Sequence, residues 1–232
     1  MSGDLDANNK SEIRGPLSIA AMVSAQGRGS NLSALLDACA SGRISGRIGV
    51  VIGTRADAPA LERARDAGVG VAIVSPRQYE QDEAGYARAL LRLLKKYDAG
   101  LICLAGYMRK LPATVVSEFA GRIMNIHPAL LPFFGGQGMY GENVHQAVLD
   151  SGMKVSGCTV HFVDEQYDTG PIIVQNPVPV LDDDTPTSLA RRVLTVEHTS
   201  YVEAVQLFAE GRLRVAGKRV YVVPREERGD TA

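Results

Sequence analysis

Residues 100–105 read GLICLA, a run with no charged, amide or hydroxyl side chain. A run this short fits a strand better than a helix. With no polar alternation, it predicts a strand buried on both faces, as in the middle of a parallel sheet. Before it, residues 80–97 carry Tyr86, Leu90, Leu91 and Leu94 at i, i+4, i+5 and i+8, which predicts an amphipathic helix. Further back, apolar runs at 17–23, 47–53 and 69–74 predict strands, and the segments 30–41 and 59–67 between them predict helices, the second stopped by Gly68. Past the central run, 113–119 reads as a helix and 122–126 as a strand. Strands alternating with helices at this spacing specify βαβ units, so the expected fold is α/β with a doubly wound, mostly parallel sheet.

The pattern changes after residue 127. A Pro- and Gly-rich stretch leads to a helix near 144–151, then to paired strands at 155–163 and 172–180. A long helix over 185–208 and a hairpin of 212–216 with 219–222, turning at Gly217-Lys218, complete the chain. With no repeat and no linker, a single domain over 17–222 is expected, with flexible polar ends at 1–16 and 223–232.

Composition narrows the function classes. The 232 residues hold 25 Lys and Arg against 26 Asp and Glu, a net charge of -1, so no global basic field favours nucleic acid. The polar N-terminus lacks the apolar core of a signal peptide, and no apolar run reaches 18 residues, so no membrane association and a cytoplasmic location are expected. Cys39, Cys103 and Cys158 are too scattered for a disulfide framework or a zinc site, and each sits in an apolar stretch as a buried core residue would.

Three constellations carry candidate chemistry. The turn after the first strand, GRGSNL at 27–32, leads Gly29, Ser30 and Asn31 into a helix start, a natural phosphate site through free N–H groups and the helix dipole. As a plain turn it would need only Ser30 or Asn31 as helix cap. Asn125 and His127 lie two apart at the end of the fifth strand, hence on one side of it, where an amide and an imidazole can polarise a carbonyl and move a proton. Thr159, His161 and Val163 share a strand face ahead of an acidic loop, in which Asp168 is the carboxylate best placed to meet a histidine. Such a carboxylate is expected to raise the histidine pKa and fix its tautomer. By spacing alone, Glu197-His198 reads as an exposed helical pair and His145 as a surface residue.

Five motifs in order, GRGSNL (27–32), LAGYMRKL (104–111), NIHPALLP (125–132), VSGCTVHFVDEQYDTGPI (155–172) and EHTSY (197–201), closely resemble the phosphoribosylglycinamide formyltransferase family. The resemblance implies a Rossmann-like formyltransferase fold and transfer of a formyl group from 10-formyltetrahydrofolate, a co-substrate, to the amine of glycinamide ribonucleotide in purine biosynthesis. It implies no metal and no covalent enzyme intermediate. By motif it assigns catalysis to Asn125, His127 and Asp168, with His127 protonated. It assigns the ribonucleotide to Gly29, Ser30, Asn31 and Glu197, and the folate to Tyr107, Met108, Arg109, Lys110, Leu111, Asn125 and Val163. His161 matches a histidine near the substrate phosphate. The chain departs from the family pattern at Asn143, where many members carry histidine, and at Thr169, where glycine is common. The expected assembly is a monomer or homodimer.

Two other readings remain. Another 10-formyltetrahydrofolate enzyme of the same fold, a deformylase or a different formyltransferase, would be expected to need an extra domain. An NADP-dependent reductase would use the Gly-rich turn and Arg55, but Leu32 stands where the third glycine of GxGxxG belongs.

Overall fold

The computed structural model describes residues 16–25 and 28–225. Of the polar ends expected at 1–16 and 223–232, residues 1–15 and 226–232 lie outside the described residues, as do Gln26 and Gly27 of the first turn. Val223, expected in the loose tail, is bonded instead: its N–H donates to the Arg212 carbonyl at 2.8 Å.

In chain order the elements are β1 (Leu17–Val23), α1 (Ser30–Ala40), β2 (Gly46–Gly53), α2 (Pro59–Asp66), β3 (Gly70–Ile73), a 3-10 turn (Pro76–Tyr79), α3 (Glu83–Lys96), β4 (Leu101–Leu104), α4 (Ala113–Glu118) and β5 (Ile123–His127). Then come α5 (Glu142–Asp150), β6 (Val155–Phe162), β7 (Ile172–Pro179), α6 (Pro186–Ala209), β8 (Leu213–Ala216) and β9 (Arg219–Val222). The described strands form one sheet ordered β3-β2-β1-β4-β5-β6-β7-β9-β8. Strands β3, β2, β1, β4 and β5 pair in parallel, as the alternation predicts. Strand β6 then runs antiparallel to β5 and to β7, and β9 meets β7 in parallel through Ile172 and Arg219.

Helices cover both faces of the parallel half. On one face, Leu32 and Leu35 of α1, Leu61 of α2 and Val193, Tyr201 and Phe208 of α6 pack with Ile19, Ala21 and Val51 of the sheet. On the other, Tyr86, Leu90 and Leu94 of α3 and Val115 of α4 pack with Ala20, Val50 and Ile102. The alternation of Ile19 and Ala21 against Ala20 is the period-two geometry of a strand buried on both sides. All four residues of β4 are buried.

Local chemistry moves several boundaries. Helix α3 begins at Glu83 rather than residue 80 because Pro76–Tyr79 forms a 3-10 turn and Asp82 caps the helix, accepting from the Gly85 N–H at 2.7 Å. Strand β5 continues through His127, one residue beyond the expected end. Helix α6 starts behind a capping box of Thr185 and Ser188 with Pro186 in its first turn.

Candidate active site

Strand order reverses between β1 and β4, and a crevice opens at their carboxyl ends, the usual ligand position in such sheets. A cleft of about 770 Å³ occupies it. One end of its lining is Arg28, Ser30 and Asn31; Gly106, Tyr107 and Met108 follow β4, and Asn125 and His127 come from β5. The loop 136–142, His145 and the face of α6 bearing Arg191, Leu194 and Glu197 complete the wall. Ser24 ties the first two loops together: its Oγ accepts from the Met108 N–H at 2.9 Å, and its own N–H donates to Gly106 at 3.2 Å.

Asn125, His127 and Asp168 converge here. Asp168 Oδ2 stands 3.6 Å from His127 Nδ1 and accepts from the Gly136 N–H at 2.9 Å. Asp168 Oδ1 lies 3.6 Å from His161 Nε2 and accepts from Asn125 Nδ2 at 3.5 Å. Asn125 Nδ2 also lies 3.3 Å from His161 Nε2, and His161 Nδ1–H donates to the Phe162 carbonyl at 2.8 Å. Gly135 brings the loop close to Asp168. A Cβ there would lie 2.6 Å from Leu131 Cδ2 and 3.1 Å from Asp168 Cβ.

Two expectations about this group need correction. His127 Nε2–H donates to the Phe134 carbonyl at 2.8 Å, so the backbone, not Asp168, fixes the tautomer. The pKa of His127 is also lowered rather than raised: burial disfavours the charged ring and outweighs Asp168 and Phe134, which favour it. Both ring nitrogens nonetheless face acceptors, so protonation at Nδ1 gains the Asp168 carboxylate. Burial works to raise the Asp168 carboxyl, but His161, His127 and the Gly136 N–H together hold it below its usual range. Phe134 and Asp168 both adopt left-handed backbone, at φ 55 and 56. Such conformations cost about 1–3 kcal/mol each in non-glycine residues and concentrate at functional sites.

At the other end of the cleft, α1 is capped by Gly29 at φ 75 with no side-chain bond from a described residue, not by Ser30 or Asn31 as a plain turn would have it. A Cβ on Gly29 would sit 2.9 Å from Ala60 Cα. The helix N-terminus is thus left open to an anion. Asn31 turns its amide into the cleft wall, where Nδ2 donates to Glu197 Oε2 at 2.7 Å. Glu197 is buried, not exposed as its spacing predicts, and burial raises its pKa against the opposing Asn31 bond.

The folate candidates divide. Tyr107 and Met108 line the main cleft. Tyr107, Arg109, Lys110, Leu111 and Val163 line an adjoining slot of about 60 Å³, which shares Asn125, Tyr167 and Asp168 with the main cleft. Leu111 is only 4% exposed and belongs to the core cluster with Val115, so it is a packing residue as well as a wall.

Sequence reasoning missed two residues. His145 is buried, not a surface residue, and lines the cleft, because α5 packs on α6. Arg63 of α2 clamps the first loop, donating from Nε to the Arg28 carbonyl at 3.1 Å and from Nη1 to Ser33 Oγ at 3.2 Å. Neither has a local sequence signal; both depend on packing between distant elements.

A family model described as formyl transferase matches residues 18–205. Phosphoribosylglycinamide formyltransferase of Escherichia coli is 39% identical over 194 residues, covering 84% of this chain and 89% of the relative. The chain belongs to the phosphoribosylglycinamide formyltransferase family. The chloroplastic family member of Arabidopsis thaliana is 42% identical over 192 residues, 83% of this chain. The chain spans 66% of that plant protein's length. Among solved structures, glycinamide ribonucleotide transformylase 1 of Symbiobacterium toebii is 47% identical with a TM-score of 0.84, covering 90% of this chain and 95% of the other. The formyltransferase fold expected from the motifs is therefore the fold of this chain. Among the described residues no helix is long and apolar enough to cross a membrane, and no group of three or more His, Cys, Asp and Glu is placed to hold a metal.

Proposed function

We propose that this chain transfers the formyl group of 10-formyltetrahydrofolate to the amine of glycinamide ribonucleotide in purine biosynthesis. The supporting observation is the meeting of Asn125, His127 and Asp168 in one cleft whose far end is an open helix N-terminus beside the Asn31–Glu197 pair. An anionic ribonucleotide fits that cleft lengthwise. Its phosphate lies at Gly29, Ser30 and Asn31, its ribose at Glu197, and its amine reaches β5. The folate enters over Tyr107 and Met108, with the slot bounded by Leu111 and Val163 for its flat ring and with Arg109 and Lys110 at its edge. This places the formyl carbon beside Asn125 and His127.

The residues then perform the chemistry in order. The neutral amine attacks the formyl carbon, and the carbonyl oxygen becomes negative. Asn125 Nδ2 moves onto that oxygen by releasing its long 3.5 Å bond to Asp168. Burial favours the neutral form of His127, and a developing oxyanion tips the ring toward the charged form, with Asp168 ready at Nδ1. Nδ1, the ring nitrogen not bonded to Phe134, takes the proton from the attacking amine and gives it to the folate nitrogen as that nitrogen's bond to the formyl carbon breaks. The test is release of tetrahydrofolate by the purified chain, measured by absorbance, with and without the ribonucleotide. Release that depends on the ribonucleotide supports the transfer; release at the same rate without it points to a deformylase.

A further inference from the structure

One buried imidazole in the cleft wall has no part in this scheme. His145 lies in the first turns of α5, is 4% exposed and lines the cleft. Its Nδ1 is buried with no hydrogen-bond partner among the described residues. An orphaned buried N–H is rarer than a bare buried acceptor, which puts the proton on Nε2. Burial first, and then the neighbouring His127, push the ring down to about 4, with Glu142 opposing, so it stays neutral near pH 7. Neutral Nε2–H is a donor without a charge, suited to an uncharged oxygen and indifferent to a phosphate's net charge.

The position narrows the acceptor. Helix α6 presents Thr187, Arg191, Leu194 and Glu197 to the cleft along one face. Glu197 joins this face to Asn31 at the α1 end, and Thr187 Oγ1 donates to Glu142 of α5 at 3.4 Å at the other. His145 is therefore at the α5 end of the wall, away from the Asn31 end and electrostatically coupled to His127. A ribonucleotide with its ribose at Glu197 and its amine at His127 brings its glycinamide arm past this ring. We propose that His145 donates from Nε2–H to the amide carbonyl oxygen of that arm, making it a specificity residue for the amine-bearing substrate. The proposal rests on the formyl-transfer reading for the identity of the ligand.

Calorimetric binding without folate tests it, using glycinamide ribonucleotide and ribose 5-phosphate as the two probes. For His145→Ala, affinity for glycinamide ribonucleotide should fall about tenfold, the scale of one lost hydrogen bond, while ribose 5-phosphate binds as to wild type. His145→Gln, whose amide can donate from a similar place, should recover affinity to within about threefold on the same scale. In turnover, the ribonucleotide KM should rise and the folate KM hold steady. Unchanged ribonucleotide affinity in His145→Ala, equal losses for both probes, or no recovery in His145→Gln would each overturn the proposal. A wild-type chain that binds the ribonucleotide but does not formylate it would sink the formyl-transfer reading alone, because the binding comparison still decides the role of His145.

Discussion

His127 and Asp168 are each held by backbone as much as by each other, and that determines what their replacement should do. Asp168→Asn keeps an oxygen for the Gly136 N–H but removes the charge facing His127 Nδ1. Turnover should drop by about 10²-fold or more, and by about 10²–10⁴-fold for His127→Ala, while calorimetry still detects ribonucleotide binding. Near-normal kcat in either variant at neutral pH would remove the proposed mechanism. Glu197→Gln tests the other end. A glutamine oxygen can still accept from Asn31 Nδ2, and the change removes a carboxyl whose charged form burial disfavours. The thermal midpoint should hold or rise while the ribonucleotide KM increases; a fall in stability with KM unchanged would make Glu197 structural only. The loop position of Asp168 was legible in the sequence because a turn confines its choice of neighbours. The burial of Glu197 and His145 was not, because α1 packing on α6 and α5 packing on α6 are contacts that periodicity cannot show.

Among the elements, α1 makes the clearest commitment. Its first turn has Gly29 at positive φ and no described side chain closing its N–H groups. A crystal soaked in sulfate should show the anion there. An ordered anion elsewhere with this turn empty would count against the phosphate assignment. Gly29→Ala adds both φ strain and a collision with Ala60, so it should weaken ribonucleotide binding and lower the unfolding midpoint together. The parallel half of the sheet was readable from apolar runs such as residues 100–105, because a strand buried on both faces has no polar alternation to mistake. The other half was only partly readable. Paired strands at β6 and β7 and the Gly217-Lys218 hairpin were expected, but the joining of β9 to β7 rests on the single Ile172–Arg219 contact, for which no sequence pattern exists.

At the scale of the whole molecule, burial of neutral histidines gives stability a sign with pH. His127, His145 and His198 are all lowered, burial being the first cause in each, with His145 falling from 6.5 to about 4. Below the ordinary imidazole value the unfolded chain binds protons that the folded chain refuses, so unfolding free energy falls with pH. This contribution is complete above pH 6.5 and lost progressively toward pH 4. Urea midpoints measured across that window should decline, and less steeply in His145→Gln, which has no ring to protonate. An identical slope in that variant would show that His145 is not buried neutral. The lowered Asp168 carboxyl acts in a more acidic window, its stabilisation being lost as pH falls through its own folded value. The cleft at the carboxyl edge of the sheet brings two substrates together in the proposed reaction. The most direct measurement is transfer of labelled formyl from 10-formyltetrahydrofolate by the purified chain, with the label followed into product. Label should appear on the glycinamide amine, with none released when the ribonucleotide is omitted. Label appearing as free formate at the same rate with or without the ribonucleotide would contradict it.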